Sequence, residues 1–179
     1  NIKVLKFGDL LTLYARELSA ECLKLVTGLT NMTSIEMDRV SQGMIDGCSN
    51  YTGNKEIEEN CNNCTNSIDT HINEMIGKIQ MNTDFSLLST MLEGNLSAEQ
   101  ISANIKLAIS GGQNEPRDAI AGCIWAVLNF GLKEQLLEKG NWEQLFNEYC
   151  RWMSPIGMSP REIAKDFLYK NVTFKKGDR

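Results

Sequence analysis

The sequence predicts a mainly α-helical fold that closes with a short β-hairpin. Three observations carry this expectation. Apolar residues recur at gaps of three and four through most of the chain, which is the spacing of one helical face. Cap and stop residues divide that pattern into separate segments. Only near the C-terminal end does the pattern change: Phe167-Leu168-Tyr169 and Val172-Thr173-Phe174 flank Lys170-Asn171 as two strands flank a tight turn.

The first helix is expected from about Asp9 to Val26, with Leu10, Leu13, Tyr14, Leu18, Cys22 and Leu25 on its buried face and Gly28 as its stop. Thr33 or Ser34 can cap a second helix that reaches about Cys48. The segment Asn50 to Asn54 reads as a turn. Ile57, Cys61, Cys64, Ile68, Ile72, Met75 and Ile79 then form a long, unbroken apolar stripe. A short helix is expected from Phe85 to Leu92, ending near Gly94. Ser97 and Gln100 have the spacing of a capping box, and they open a helical stretch to about Phe130, roughly 50 Å at 1.5 Å per residue. A further helix is expected from Trp142 to Met153.

With 179 residues, the chain can bury a sizeable core. Residues 1–179 read as one partial domain, with a helical core at 1–154 and a strand region at 155–179. A net charge of −5 without a basic stripe argues against nucleic acid as the main partner. No apolar run approaches the ~20 residues of a membrane span. No signal-peptide pattern follows Asn1, and both ends read as cut, so a piece of a longer polypeptide is expected. Of the six cysteines, only Cys61 and Cys64 form a close pair. Zinc needs four ligands, and no second pair completes the set. Both thiols sit inside the apolar stripe and read as packing residues. The single histidine, His71, lies beside that stripe with no partner in view.

The middle of the long helix breaks local rules at Gly111-Gly112-Gln113-Asn114-Glu115-Pro116-Arg117-Asp118. Two glycines cost about 1 kcal/mol each relative to alanine, and an interior proline about 3 kcal/mol. Pro116 has no N–H, so the Gly112 carbonyl loses its helical partner and the helix must bend or open. Apolar runs on both sides predict that this break is buried. A buried break carrying a free carbonyl, an amide and a carboxyl reads as a site for a polar ligand or water. The alternative is a simple kink, with Glu115 and Arg117 on a wet face.

These residues resemble the long distal helix of the cytochrome P-450 superfamily, where a Gly-Gly or Ala-Gly step precedes an acid–alcohol pair over the haem iron. A second match follows at the expected distance, because Glu148-Tyr149-Cys150-Arg151 is similar to that superfamily's Glu-X-X-Arg motif. After it come Ser154-Pro155-Ile156-Gly157-Met158-Ser159-Pro160-Arg161 and the strand pair ending Lys176-Gly177-Asp178, in the family's order. The match is strongest from about Ile101 to Arg179. The resemblance implies the central part of that fold. It places Gly111 and Gly112 at the oxygen groove and Asn114 and Glu115 at the catalytic pair. Leu107, Ser110, Ile156, Gly157 and Met158 fall at the substrate pocket. Glu148 and Arg151 fall in a buried ion-pair network, and Arg161 at a haem propionate, which a guanidinium fork can hold.

Two departures stand out. No Phe-X-X-Gly-X-X-X-Cys-X-Gly loop is present, so the axial cysteine is not in this chain and no metal ligand is assigned. The acid–alcohol pair is replaced by Asn114-Glu115. The resemblance implies a piece of a bacterial, cytoplasmic haem-thiolate monooxygenase, the fragment itself being inactive. In the complete protein it implies haem b, dioxygen, a small organic substrate and a ferredoxin-type electron donor served by an NAD(P)H reductase. Two other readings stay open: a haem-free helical binding or regulatory module on the same fold, and a zinc protein using Cys61 and Cys64.

Overall fold

The computed structural model describes residues 8–157 and 161–178. Asp9 starts the first helical segment by accepting the Thr12 backbone N–H at 2.7 Å. A short π-helix, Leu11–Ala15, runs directly into α1 (Arg16–Thr27). Gly28 ends α1 at φ +86°, a conformation open to glycine, and returns its N–H to the Lys24 carbonyl at 2.9 Å. The second helix, α2 (Ser34–Cys48), is capped by Thr33, whose hydroxyl accepts the Glu36 N–H at 3.1 Å. Asn54 caps α3 (Lys55–Met81) in the same way, and Ser86 caps α4 (Leu87–Glu93). The capping box of Ser97 and Gln100 is present at the start of α5 (Ala98–Gly112). Then follow α6 (Asn114–Asn129), α7 (Lys133–Lys139) and α8 (Trp142–Met153).

The chain ends in β1 (Phe167–Tyr169) and β2 (Val172–Phe174), an antiparallel pair. Lys170 and Asn171 both take positive φ, as a two-residue hairpin turn requires. Phe167 stands opposite Phe174, their rings stacked at 4.9 Å.

Helices α1 to α5 enclose the core. Leu29, Met37, Ile68, Leu88, Ile105 and Ile109 are fully buried in it. The α3 stripe supplies Cys64, Ile68, Ile72, Met75 and Ile79, as its period predicts. The two thiols of that helix pack against α2, where Cys64 Sγ and Cys61 Sγ occupy the space that side chains at Gly43 and Gly47 would need. Two polar ties fix the helix pairs. Glu36 accepts from Arg39 and Ser67, both at 2.7 Å, joining α2 to α3. Asp69 accepts from Ser102 at 2.6 Å and Lys106 at 2.7 Å, joining α3 to α5.

Two features differ from the sequence expectation. The buried face of α1 is made by Ala15, Ser19, Ala20, Leu23 and Thr27, while Leu13, Leu18 and Leu25 are exposed. Small side chains let α1 lie close against α2 and α5, and the bulkier row turns away from them. Helix α7 interrupts what reads as a loop; it buries Leu136 and ends at Gly140 in the left-handed region. Among the described residues, no helix is long and apolar enough to cross a membrane.

Candidate functional site

The expected long helix is divided at Gln113, the single residue between α5 and α6, at φ −97° and ψ −53°. Pro116 leaves the Gly112 carbonyl without a helical partner, and α1 covers this point. Ser19 donates its hydroxyl to the Gln113 carbonyl at 2.7 Å and lies 3.5 Å from that of Gly112. The hydroxyl thus bonds mainly to the carbonyl next to the freed one and stands at the limit of reach of the Gly112 carbonyl itself.

Three successive side chains leave the break in different directions. Gln113 is fully buried and donates through Nε2 to Asp38 Oδ1 at 3.2 Å. Asn114 turns to Gln42 on α2, its Nδ2 3.4 Å from Oε1. Glu115 faces a cleft. Arg117 binds Asp118 at 2.8 Å and approaches Asp38 at 3.6 Å, so it does not pair with Glu115, and both side chains are half-buried rather than wet. Sequence reasoning missed Gln113 and Asp38. The available signal was an amide between two apolar runs, which needs a buried partner, and an acid between Met37 and Val40 on the core face of α2.

The cleft has a volume of about 740 Å³ and lies between the π-helix, α6, α8 and the segment Ser154 to Ile156. Glu115 sits on its α6 wall with Oε2 removed from solvent and no hydrogen-bond donor in reach. Tyr14 comes from the π-helix, and Trp142 and Phe146 come from α8. Of the residues expected at the groove and pocket, Gly111 and Ile156 line the cleft, while Gly112, Leu107, Ser110 and Gly157 do not. Leu107 is 70% exposed, and the Ser110 hydroxyl turns back to the Leu107 carbonyl at 3.0 Å. Met158 lies outside the described residues.

Helix α8 holds the far wall by close approach. The Tyr149 ring occupies the space over Gly122, where a Cβ would collide with its hydroxyl. Burial pushes the Tyr149 phenol above its ordinary range, with Cys123 adding to the shift. Trp152 stacks on Trp125 at 6.2 Å, and Phe130 meets both rings edge-on. Glu148 and Arg151 form a two-pronged pair at 2.6 and 2.7 Å, and Arg151 holds the Glu148 carboxyl below its ordinary range. The expectation of a buried network is not met in this chain: the side chains of Arg151 and Glu148 are 69% and 60% exposed. None of the described residues of α8 is buried, so no described element covers this face. Arg161 is exposed and does not line the cleft.

No family model matches the chain. Solved structures do resemble it. One is P450BioI, crystallised in complex with hexadec-9Z-enoic acid ligated acyl carrier protein; it superposes with a TM-score of 0.80 at 19% identity over 99% of this chain. Another is a Mycobacterium marinum cytochrome P450 in complex with pseudoionone, with a TM-score of 0.72 at 16% identity over 96% of this chain. The chain has the cytochrome P-450 fold. It spans about half the length of these P-450 structures, 47% and 44% respectively. The helices, their order and the terminal hairpin all belong to that P-450 architecture.

The residues of this P-450 fold suit one face of a flat apolar group, because the cleft wall is apolar apart from Glu115 and a few hydroxyls and thiols. They do not suit its ligation. All six cysteines are built into helices, where none has the sequence of a ligand loop. Burial pushes the thiols of Cys61, Cys64 and Cys123 upward, away from the thiolate that an axial ligand must be. Among the described residues, no group of three or more His, Cys, Asp or Glu could hold a metal ion, which leaves the zinc reading of Cys61 and Cys64 without a ligand set.

Proposed function

We propose that this chain is the distal, substrate-facing half of a haem-thiolate monooxygenase, the iron ligand coming from polypeptide outside these residues. The observation that carries the reading is the cleft: the α5–α6 break and α8 border an open apolar space, and Glu115, at the place of the family's hydroxyl, faces it. The parent activity is insertion of oxygen from dioxygen into a small organic substrate. Haem b supplies that chemistry when bound, and a ferredoxin-type donor with an NAD(P)H reductase delivers the electrons. The residues of this chain shape the cleft and present one carboxyl to its contents. Asn114 faces Gln42 and positions α6 against α2, so Glu115 alone of the expected pair is proposed at the chemistry. Arg161 as a propionate partner, and a cytoplasmic location, belong to the same proposal.

The reading is tested on the natural reading frame and on its full-length product. A cysteine-bearing Phe-Gly loop downstream of Arg179, in a product that takes up haem, supports it. In that protein, Glu115→Gln is expected to slow product formation and divert reduced oxygen to peroxide with the haem spectrum unchanged. A stop codon without such a loop overturns the enzyme and leaves a haem-free binding module built on the same cleft.

A further inference from the structure

Glu115 lines the cleft with no counter-charge beside it among the described lining residues. Its Oε2 is removed from solvent without a hydrogen-bond partner among the described residues, so a ligand in the cleft reaches the carboxyl through Oε1. A carboxylate without a counter-charge is best matched by a ligand that brings a cationic proton donor to it. The walls supply no cation: among the described residues that line the cleft there is no Lys, Arg or His, and Glu115 is the one carboxylate. The walls supply aromatic rings instead. Tyr14, Trp142 and Phe146 face the same space, with Ile120 and Ile124 beside them.

We propose that the cleft binds a hydrophobic organic cation, an apolar body carrying a protonated amine, with the ammonium on the Glu115 carboxylate and the body against the three rings. Each part of the surface favours that chemistry over its alternatives. An ammonium makes a charge-assisted hydrogen bond to a carboxylate, and the negative faces of aromatic rings attract the same cation. A carboxylate-bearing ligand meets like charge. A neutral ligand without a donor makes no bond to the carboxylate. The net charge of −5 also draws cations toward the molecule. A volume of about 740 Å³ admits one ligand of ordinary small-molecule size. The step from ligand to oxygenase substrate rests on the function proposed above, whereas the ligand class rests on the cleft alone.

The test is calorimetric titration of this chain with three probes that share one apolar body: octylamine, octanol and octanoate. The amine is expected to bind about tenfold more tightly than the alcohol, the equivalent of one charge-assisted hydrogen bond, and octanoate more weakly than either. Glu115→Gln, nearly the same shape, is expected to bring the amine to the level of the alcohol and leave the alcohol unchanged. Trp142→Ala removes a half-exposed ring and is expected to weaken all three. Equal affinities for the three probes, or an amine preference that survives Glu115→Gln, overturns the proposal. An amine preference here, with no oxygenation in the full-length product, would uphold the ligand class and remove the oxygenase. Oxygenation without amine preference would do the reverse.

Discussion

Ser19 donates its hydroxyl to the backbone carbonyl of Gln113, 94 residues away in sequence and 2.7 Å away in space. Both residues are buried, and the bond ties α1 to the break one residue beyond the Gly112 carbonyl that Pro116 frees. Ser19→Ala should therefore leave the Gln113 carbonyl with only the Arg117 N–H at 3.4 Å and lower stability by about 1 kcal/mol. Urea unfolding of the variant beside the parent measures this. An unchanged midpoint would mean that the carbonyl finds another donor.

The approach of α8 to α6 depends on the missing side chain at Gly122. A methyl group there meets the Tyr149 ring, which must move and take α8 with it. Gly122→Ala is expected to cost about 1–3 kcal/mol by overpacking. Tyr149→Ala in the same chain should recover much of that loss, because it removes the obstacle. A thermodynamic cycle over the four proteins checks the coupling, and strictly additive effects would show that the two residues do not meet.

Glu36 makes the tie between α2 and α3 depend on pH. Its carboxyl is lowered from 4.5 to about 2, first by the Arg39 hydrogen bond and then by the Ser67 hydroxyl and the Arg39 charge, against the opposing effect of burial. A carboxyl whose folded value is depressed binds protons more readily in the unfolded chain. Its stabilising contribution is therefore complete above about pH 4.5 and is lost as pH falls toward 2. Glu36→Gln should be less stable than the parent at neutral pH and should lose less further stability on acidification. Melting temperatures of both proteins between neutral pH and pH 3 decide this, and parallel curves would remove Glu36 from the acid response.

The sequence made most of these elements legible, because local chemistry set them. Thr33, Ser97 with Gln100, and Gly28 each perform the cap or stop that their residue type predicts. The α3 stripe needed nothing beyond its period, and Lys170-Asn171 turned the hairpin as such a pair can. What was not legible depends on neighbours. The face of α1 was misread because Leu13, Leu18 and Leu25 outrank Ala15, Ser19 and Ala20 in hydrophobicity, yet close packing on α2 and α5 selects the small residues. At the break, the order Gln113-Asn114-Glu115 gives no sign of which side chain faces the cleft, since that follows from the helical phase after Gln113. The motif at Glu148 and Arg151 was readable as a pair but not as an exposed one, because burial is set by whatever packs over α8.

Haem added to this chain should not be held by a thiolate. The six cysteines lie at fixed places in helices, and the thiols of Cys61, Cys64 and Cys123 are pushed upward by burial, which favours the protonated form that binds iron poorly. Cys123 and Cys150 line the cleft and are the two sulfurs that a bound haem could meet there. The reduced, carbon-monoxide-treated complex is therefore expected to show no Soret band of the thiolate type. If such a band appears, Cys123→Ser and Cys150→Ser separate the sources. Loss of the band in either variant would identify a helical cysteine as a ligand, and the iron ligand would then lie within this chain rather than outside it.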